Sequence, residues 1–287
     1  MYRSKNLEIH TVDHCNLDCV GCSHESPLMV SRVEDPDRLA AALQALWKYY
    51  EAPLVKLLGG EPLLHPALGD VVQAVRTTTG ARVRAVTNGT LLRSRYRHLH
   101  GVDEVHISHY PGVEIPLDAE LQEMAAELGI PITLQGFDAF RWHRVAEPHS
   151  PDLTARIFET CQMYHSWECH TLREGWFYPC PPAATWSSTG EGVDLLDPSE
   201  QVPRALDRLL GRGEPLEACA SCLGSAGQLF RHRQGWRSSL DTQPGLSVDE
   251  DFLDQLERTP DAWNDCYEYR RTFHQSGHIE HLGRGLP

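Results

Sequence analysis

At 287 residues the chain is long enough for one large domain, or for one domain with a smaller appendage. Lys and Arg total 26 against 40 Asp and Glu; the formal charge of −14 argues against a nucleic-acid backbone as partner and permits a cationic substrate. No stretch approaches the ~18 apolar residues of a membrane span, and Met1–Asn6 runs into a strand pattern without the apolar core of a signal peptide. A soluble cytoplasmic protein without a membrane partner is expected.

The first strand pattern, Leu7, Ile9 and Val12, leads into Cys15-Asn16-Leu17-Asp18-Cys19-Val20-Gly21-Cys22. This C-x3-C-x2-C spacing puts three thiolates on one tight loop, one short of a closed zinc site. Three thiolates suit three irons of a [4Fe-4S] cube and leave the fourth iron open. His10, Asp13, His14 and Glu25 flank this loop as candidates to face a substrate, although any one of sixteen histidines is ordinarily a packing or surface residue. Asp35 as N-cap and Pro36 in the first turn start a helix whose apolar face is Leu39, Leu43, Leu46, Trp47 and Tyr50. A second strand, Leu54–Leu58, ends in Gly59-Gly60-Glu61-Pro62, and a helix around Leu68–Val75 follows.

Strand three, Val83–Val86, ends in Thr87-Asn88-Gly89; strand four is Val105–Ser108, followed by His109. A helix of Leu117, Leu121, Met124 and Leu128 closes at Gly129, and strand five is Ile130–Leu134. Repeating βα units build a parallel sheet with right-handed crossovers, whose active sites lie at the carboxyl ends of the strands. The cysteine loop, the GGEP turn, Thr87-Asn88 and Ser108-His109 all fall there.

Beyond residue 150 the pattern changes. A helix is expected from Ser150-Pro151 to about Cys161, and five cysteines follow from 161 to 222: Cys161, Cys169, Cys180, Cys219 and Cys222. Clustered cysteines without an export signal favour metal chemistry over disulfides. Four thiolates fit a structural zinc site as well as an iron–sulfur cluster. The last 45 residues or so read as a linker, Asp241–Gly245, and two short helices, the second starting near Thr259-Pro260.

The triplet Cys15, Cys19, Cys22, followed after a strand by Gly59-Gly60-Glu61-Pro62, resembles the radical S-adenosylmethionine (SAM) superfamily. The resemblance implies a partial (β/α)6 barrel over residues 1–150 and a SAM-binding [4Fe-4S] cluster that yields a 5'-deoxyadenosyl radical. It also implies contacts to SAM from Gly59, Gly60, Glu61, Pro62, Asn88 and Ser108, with the Glu61 carboxylate suited to the SAM ammonium. The family often has an aromatic residue before the third cysteine; here Gly21 stands there, so adenine packing has to come partly from elsewhere.

Residues 151–240 resemble the Twitch form of the SPASM extension, whose C-x(9–15)-G-x4-C hairpin and later C-x2-C would make Cys161, Cys180, Cys219 and Cys222 ligands of an auxiliary [4Fe-4S] cluster. Cys169 competes with Cys161 as first ligand. Residues 241–287 are expected to form a helical extension. With four cysteines assigned, Cys169 and Cys266 are left over, each either a packed thiol or a hydrogen donor, Cys266 being the preferred donor.

Small superfamily members of this kind act on aminoglycoside sugars and aminocyclitols in antibiotic biosynthesis. The expectation is therefore hydrogen abstraction from a carbohydrate-like, cationic small molecule, with an external electron donor such as flavodoxin or ferredoxin. Epimerisation with Cys266 returning hydrogen leads, ahead of oxidation of a secondary alcohol to a ketone. Maturation of a ribosomal peptide is a further alternative, disfavoured because the chain begins directly at the barrel. A zinc-bound protein without activity is a last one, disfavoured by the intact triplet and GGEP turn.

Overall fold

The computed structural model describes residues 1–186, 191–199, 201–235, 247–262 and 269–282. In chain order the first half contains β1 (Tyr2–Arg3), β2 (Leu7–Val12), α1 (Pro36–Leu46), β3 (Tyr50–Glu51), β4 (Leu54–Gly59), α2 (Leu68–Thr79), β5 (Arg82–Thr87), α3 (Leu92–Arg95), β6 (Glu104–His109), α4 (Asp118–Leu128), β7 (Ile132–Gly136) and β8 (Ala139–Arg141). The second half contains α5 (Pro151–Glu159), α6 (Gln162–His165), β9 (Thr171–Arg173), β10 (Trp176–Tyr178), α7 (Pro181–Trp186), β11 (Val193–Asp194), α8 (Val202–Leu210), β12 (Leu229–Arg231), α9 (Glu250–Arg258), β13 (Tyr269–Phe273) and β14 (Ile279–Leu282).

Ten strands form one sheet in the order β11-β10-β9-β2-β4-β5-β6-β7-β13-β14. The run from β9 to β7 is parallel throughout. This is the expected α/β architecture, extended at both edges: beyond β7 the sheet continues with antiparallel β13, not with another βα unit, and beyond β2 it continues with β9 and then antiparallel β10 and β11. The exposed edge of β7 takes β13 over five residue pairs, from Tyr269↔Gly136 to Phe273↔Ile132. Gly136 is required there, because a Cβ would lie 2.3 Å from the Tyr269 ring.

Strand alternation sorts the sheet's two faces. Leu7, Ile9, Val55, Leu57, Val83, Ala85, Val105, Ile107, Ile132 and Leu134 pack with Leu39, Leu43, Val71, Val75 and Leu121 of the helices in the main core. Most of the alternate positions are polar, with Leu54, Leu58 and Val86 among the exceptions. Glu8, Lys56, Arg84 and Glu104 stand in one register row across four strands, joined by Lys56–Glu8 and Arg84–Glu104 pairs of 3.1 Å each.

Helix ends follow the expected chemistry. Asp35 accepts from the N–H groups of Asp37 and Arg38, and Gly80 and Gly129 end α2 and α4 in the left-handed conformation. Several boundaries differ from expectation. Helix α1 stops at Leu46 with Trp47 as its C-cap, and Tyr50 is buried on β3 instead, stacked against Tyr2. Leu117 is a 70% exposed N-cap outside the apolar face of α4. Strand five begins at Ile132 and not at Ile130, and α5 ends at Glu159.

Among the described residues the expected C-terminal helical extension contains one helix, α9, and then the β13–β14 hairpin. Thr259 is the C-cap of α9 rather than the start of another helix. The expected linker 241–245 lies outside the described residues, as does Cys266. Among the described residues no helix is long and apolar enough to cross a membrane.

Candidate active site and cysteine-lined cavities

Cys15, Cys19 and Cys22 line a cavity of about 350 Å³ at the carboxyl ends of the parallel strands, together with Gly59, Gly60, Thr87, Asn88 and Ser108. That volume is within the range of small-molecule sites. Burial pushes the free thiol of Cys15 up to about 11 and that of Cys19 up to about 12, and raises Cys22 as well. Donors nevertheless surround the sulfurs: Leu17 N–H reaches Cys15 Sγ at 3.4 Å, Asn88 Nδ2 reaches it at 3.6 Å, and Gln234 Nε2 reaches Cys19 Sγ at 3.2 Å. Desolvated thiols ringed by N–H donors suit sulfurs held as thiolates by a metal cluster. Among the described residues no three His, Cys, Asp or Glu side chains converge tightly enough for a single metal ion. The triplet fits a [4Fe-4S] cluster.

The GGEP turn does more structural work than the sequence suggests. A Cβ on Gly60 would lie 1.8 Å from the carbonyl oxygen of His14, and Gly59 has φ +119. These glycines let strand β4 press against the cysteine loop, and their backbone forms cavity wall. Glu61 and Pro62 are buried and do not line it. The Glu61 carboxylate, expected to meet a ligand ammonium, instead accepts from Leu63 N (3.0 Å), Asn88 N (2.8 Å) and Thr87 Oγ1 (2.6 Å). It caps the turn Pro62–Leu64 and ties the ends of β4 and β5 together. Asn88 also donates to Asn16 Oδ1 at 2.9 Å, bridging β5 to the cysteine loop.

The flanking candidates have structural partners. Arg144 pairs with Glu25 at 2.8 Å, and Ser31 Oγ sits 3.2 Å from His14 Nδ1. Asp13 is clamped by Arg32 and Arg173. His10 Nε2 lies 2.9 Å from Nδ1 of His24, and His24, not His10, lines the cavity. Sequence reasoning missed Glu8, His24, Tyr110, Arg141 and His143 on the wall.

The aromatic surface missing at Gly21 comes from distant segments. Tyr110, Phe137 and Phe140 line the cavity. Strands β8 and β12 pair to present Phe140 beside Phe230, and His232 stacks on Tyr110 at 4.6 Å. Gly21 has φ +69, and a Cβ there would meet Phe230 Cζ at 2.6 Å and Trp142 Cε3 at 3.2 Å. Gly21→Tyr is therefore expected to destabilise the fold by about 3 kcal/mol through overpacking and left-handed strain. Urea denaturation would measure this, with Phe230→Ala recovering part of the loss in the double variant. A Gly21→Tyr protein as stable as wild type would show that the site tolerates the family's usual aromatic.

A second, smaller cavity gathers Cys161, Cys180, Cys219 and Cys222, lined also by Ile157, Phe158, Tyr164 and Leu216. Burial raises all four thiols. The hairpin β9–β10 turns tightly through Glu174 and Gly175, both at positive φ, and Cys180 follows its second strand. Cys161 lies not on the hairpin, as expected, but at the junction of α5 and α6. Cys169 lies just before β9 and lines the first cavity, not the second. Met163 and Gly224 border both cavities.

Residues 9–165 match the radical SAM superfamily. The chain is 34% identical over 113 residues to the GTP 3',8-cyclase of Heliobacterium modesticaldum, covering 36% of this chain and 33% of that protein. It is 32% identical over 114 residues to the probable GTP 3',8-cyclase of Methanocella arvoryzae, covering 37% and 34% respectively. It thus spans about a third of the length of these curated relatives. The structure is similar to BtrN in an open conformation (TM-score 0.51, 16% identity, 79% of this chain and 94% of that one). It is also similar to anSMEcpe with bound AdoMet (TM-score 0.51, 12% identity, 88% and 95%). The sheet, the cysteine loop and a match over more than half of its length place the chain in the radical SAM superfamily, whose members bind a [4Fe-4S] cluster and S-adenosylmethionine.

Proposed function

We propose that the protein epimerises a carbon of a sugar or aminocyclitol with a cysteine as hydrogen donor, and that this donor is Cys169, Cys266 lying outside the described residues. The observation carrying this reading is that Cys169, 8% exposed, lines the same cavity as the cysteine triplet. Cys15, Cys19 and Cys22 would hold the first cluster, and the Gly59-Gly60 backbone, Asn88 and Ser108 would meet SAM. Cluster and SAM together supply the radical that removes a hydrogen atom from the substrate. Burial, with Glu8 as the next contribution, keeps the Cys169 thiol protonated well above its usual range, so it holds the S–H hydrogen needed to quench a carbon radical on the opposite face. The resulting thiyl regains its hydrogen from one electron of an external reductant, of the flavodoxin or ferredoxin class, and one proton.

Ser23, His24, Ser26, His143 and Ser225 give the cavity a wall suited to hydroxyl groups. Glu8 is the carboxylate on that wall, but Lys56 at 3.1 Å offsets its charge. Support for a cationic substrate therefore rests on the chain's overall acidity rather than on the cavity. The unit 151–240 would carry the auxiliary cluster on Cys161, Cys180, Cys219 and Cys222. The shared wall of Met163 and Gly224 favours a second reading, oxidation of a secondary alcohol to a ketone, because a redox group on those cysteines would border the substrate chamber.

Incubation with candidate aminoglycosides in D2O separates the two. The expected result is one solvent deuterium at an inverted carbon, and Cys169→Ala that still cleaves SAM but gives no inverted product. A ketone product formed equally well by Cys169→Ala would overturn epimerisation in favour of oxidation.

A further inference from the structure

Residues 233–235 dock on the cysteine loop like an added strand. Val20 N–H donates to Arg233 O (3.0 Å), Gly235 N–H donates to Asp18 O (2.8 Å), and Cys19 and Gln234 form an antiparallel bridge. The Gln234 side chain completes the contact. Its Oε1 accepts from Asp18 N–H at 2.6 Å, which fixes the orientation of the amide, since an NH2 group facing that donor would clash. Its Nε2 is thereby turned onto Cys19 Sγ at 3.2 Å, and also lies 3.4 Å from Nε2 of His232. The residue is otherwise exposed, so its amide is not part of the packed core.

We propose that Gln234 is a positioning residue that sets the reduction potential of the cluster held by Cys15, Cys19 and Cys22, through its N–H···S hydrogen bond to Cys19. This rests on the assignment of those cysteines as ligands. Hydrogen bonds to cluster sulfurs are among the determinants of iron–sulfur potentials. A donor on a thiolate stabilises the more negative, reduced cluster and raises the potential. Cys15 receives its side-chain donor, Asn88, from the neighbouring barrel strand at the longer distance of 3.6 Å. Cys19 receives its own from a segment more than 200 residues later, so the unit 151–240 reaches a ligand sulfur of the triplet through a side-chain amide.

The test is redox potentiometry of the reconstituted full-length protein followed by electron paramagnetic resonance. The SAM-binding cluster is identified as the signal that changes when SAM is added. Gln234→Glu keeps an oxygen for Asp18 N–H but loses the donor, and Gln234→Met loses both groups at similar length. Both are expected to retain iron and sulfide at the wild-type level. Reduction should become about tenfold less favourable in each, a shift of ~59 mV to more negative potential for one electron. A potential unchanged from wild type in iron-replete variants overturns the proposal, and so does loss of iron from both, which would assign Gln234 to cluster retention alone. A wild-type protein without any SAM-responsive signal would instead sink the ligand assignment itself.

Discussion

Replacing Cys15, Cys19 and Cys22 together by alanine is expected to lower iron from about eight to about four per chain, with sulfide in step. SAM cleavage should fall to the level of the buffer. The triplet lines the larger cavity and the four later cysteines line the smaller one, so the two sets are expected to load independently. Cys180→Ala makes the complementary case: it should lose the other four irons and keep the SAM-responsive signal. Burial holds the free thiols of both sets protonated at neutral pH, with Cys15 at about 11 and Cys19 and Cys219 at about 12. Loading therefore has to displace protons, and reconstitution should proceed further as pH rises from 7 to 9. Iron and sulfide quantitation with anaerobic SAM-cleavage assays would check each step. Full iron in the triple variant, or four irons in wild type, would overturn the division into two cluster sites.

What could be read from the sequence was what local chemistry dictates. Asp35-Pro36 starts α1, Gly80 and Gly129 stop α2 and α4, and the cysteine spacing draws three sulfurs onto one loop. Trp47 and Tyr50 extended the helical period of α1 on paper, but Tyr50 is buried by stacking on Tyr2 from a strand two residues long. The β13–β14 hairpin was invisible because its segment, Tyr-Arg-Arg-Thr-Phe, has one fully buried residue and owes its form to the open edge of β7. The cavity's aromatic wall comes from Tyr110, Phe137 and Phe140 and the Cys19 donor from Gln234, all far in sequence from the motif they complete. Glu61 was misread for a different reason. A carboxylate beside a ligand-binding turn looks available, but the turn's own N–H groups and the end of β5 claim it.

Asp13→Asn is expected to destabilise the protein by about 3 kcal/mol at pH 7, at the lower end of the cost of breaking a buried ion pair because its partners keep some solvent. Asp13 has a side chain 2% exposed, and it accepts from Arg32 Nε (2.7 Å) and from an Arg173 guanidinium nitrogen (2.8 Å), each partner being 19% exposed. Arg32 follows the cysteine loop and Arg173 ends the first strand of the hairpin β9–β10, so one carboxylate fastens both to the end of β2. Burial alone would raise its pKa, but the nearby His10 ring and the hydrogen bonds from Arg173 and Arg32 outweigh that and hold it well below the usual carboxylate range. A depressed folded value gives stability that is fully present above the unfolded value, ~3.9, and is lost as pH falls through the folded one. The difference between wild type and Asp13→Asn should therefore be flat from pH 5 to pH 8. Urea denaturation at several pH values in that interval tests it. A difference that changes with pH inside that interval would end the description of Asp13 as a permanently ionised clamp.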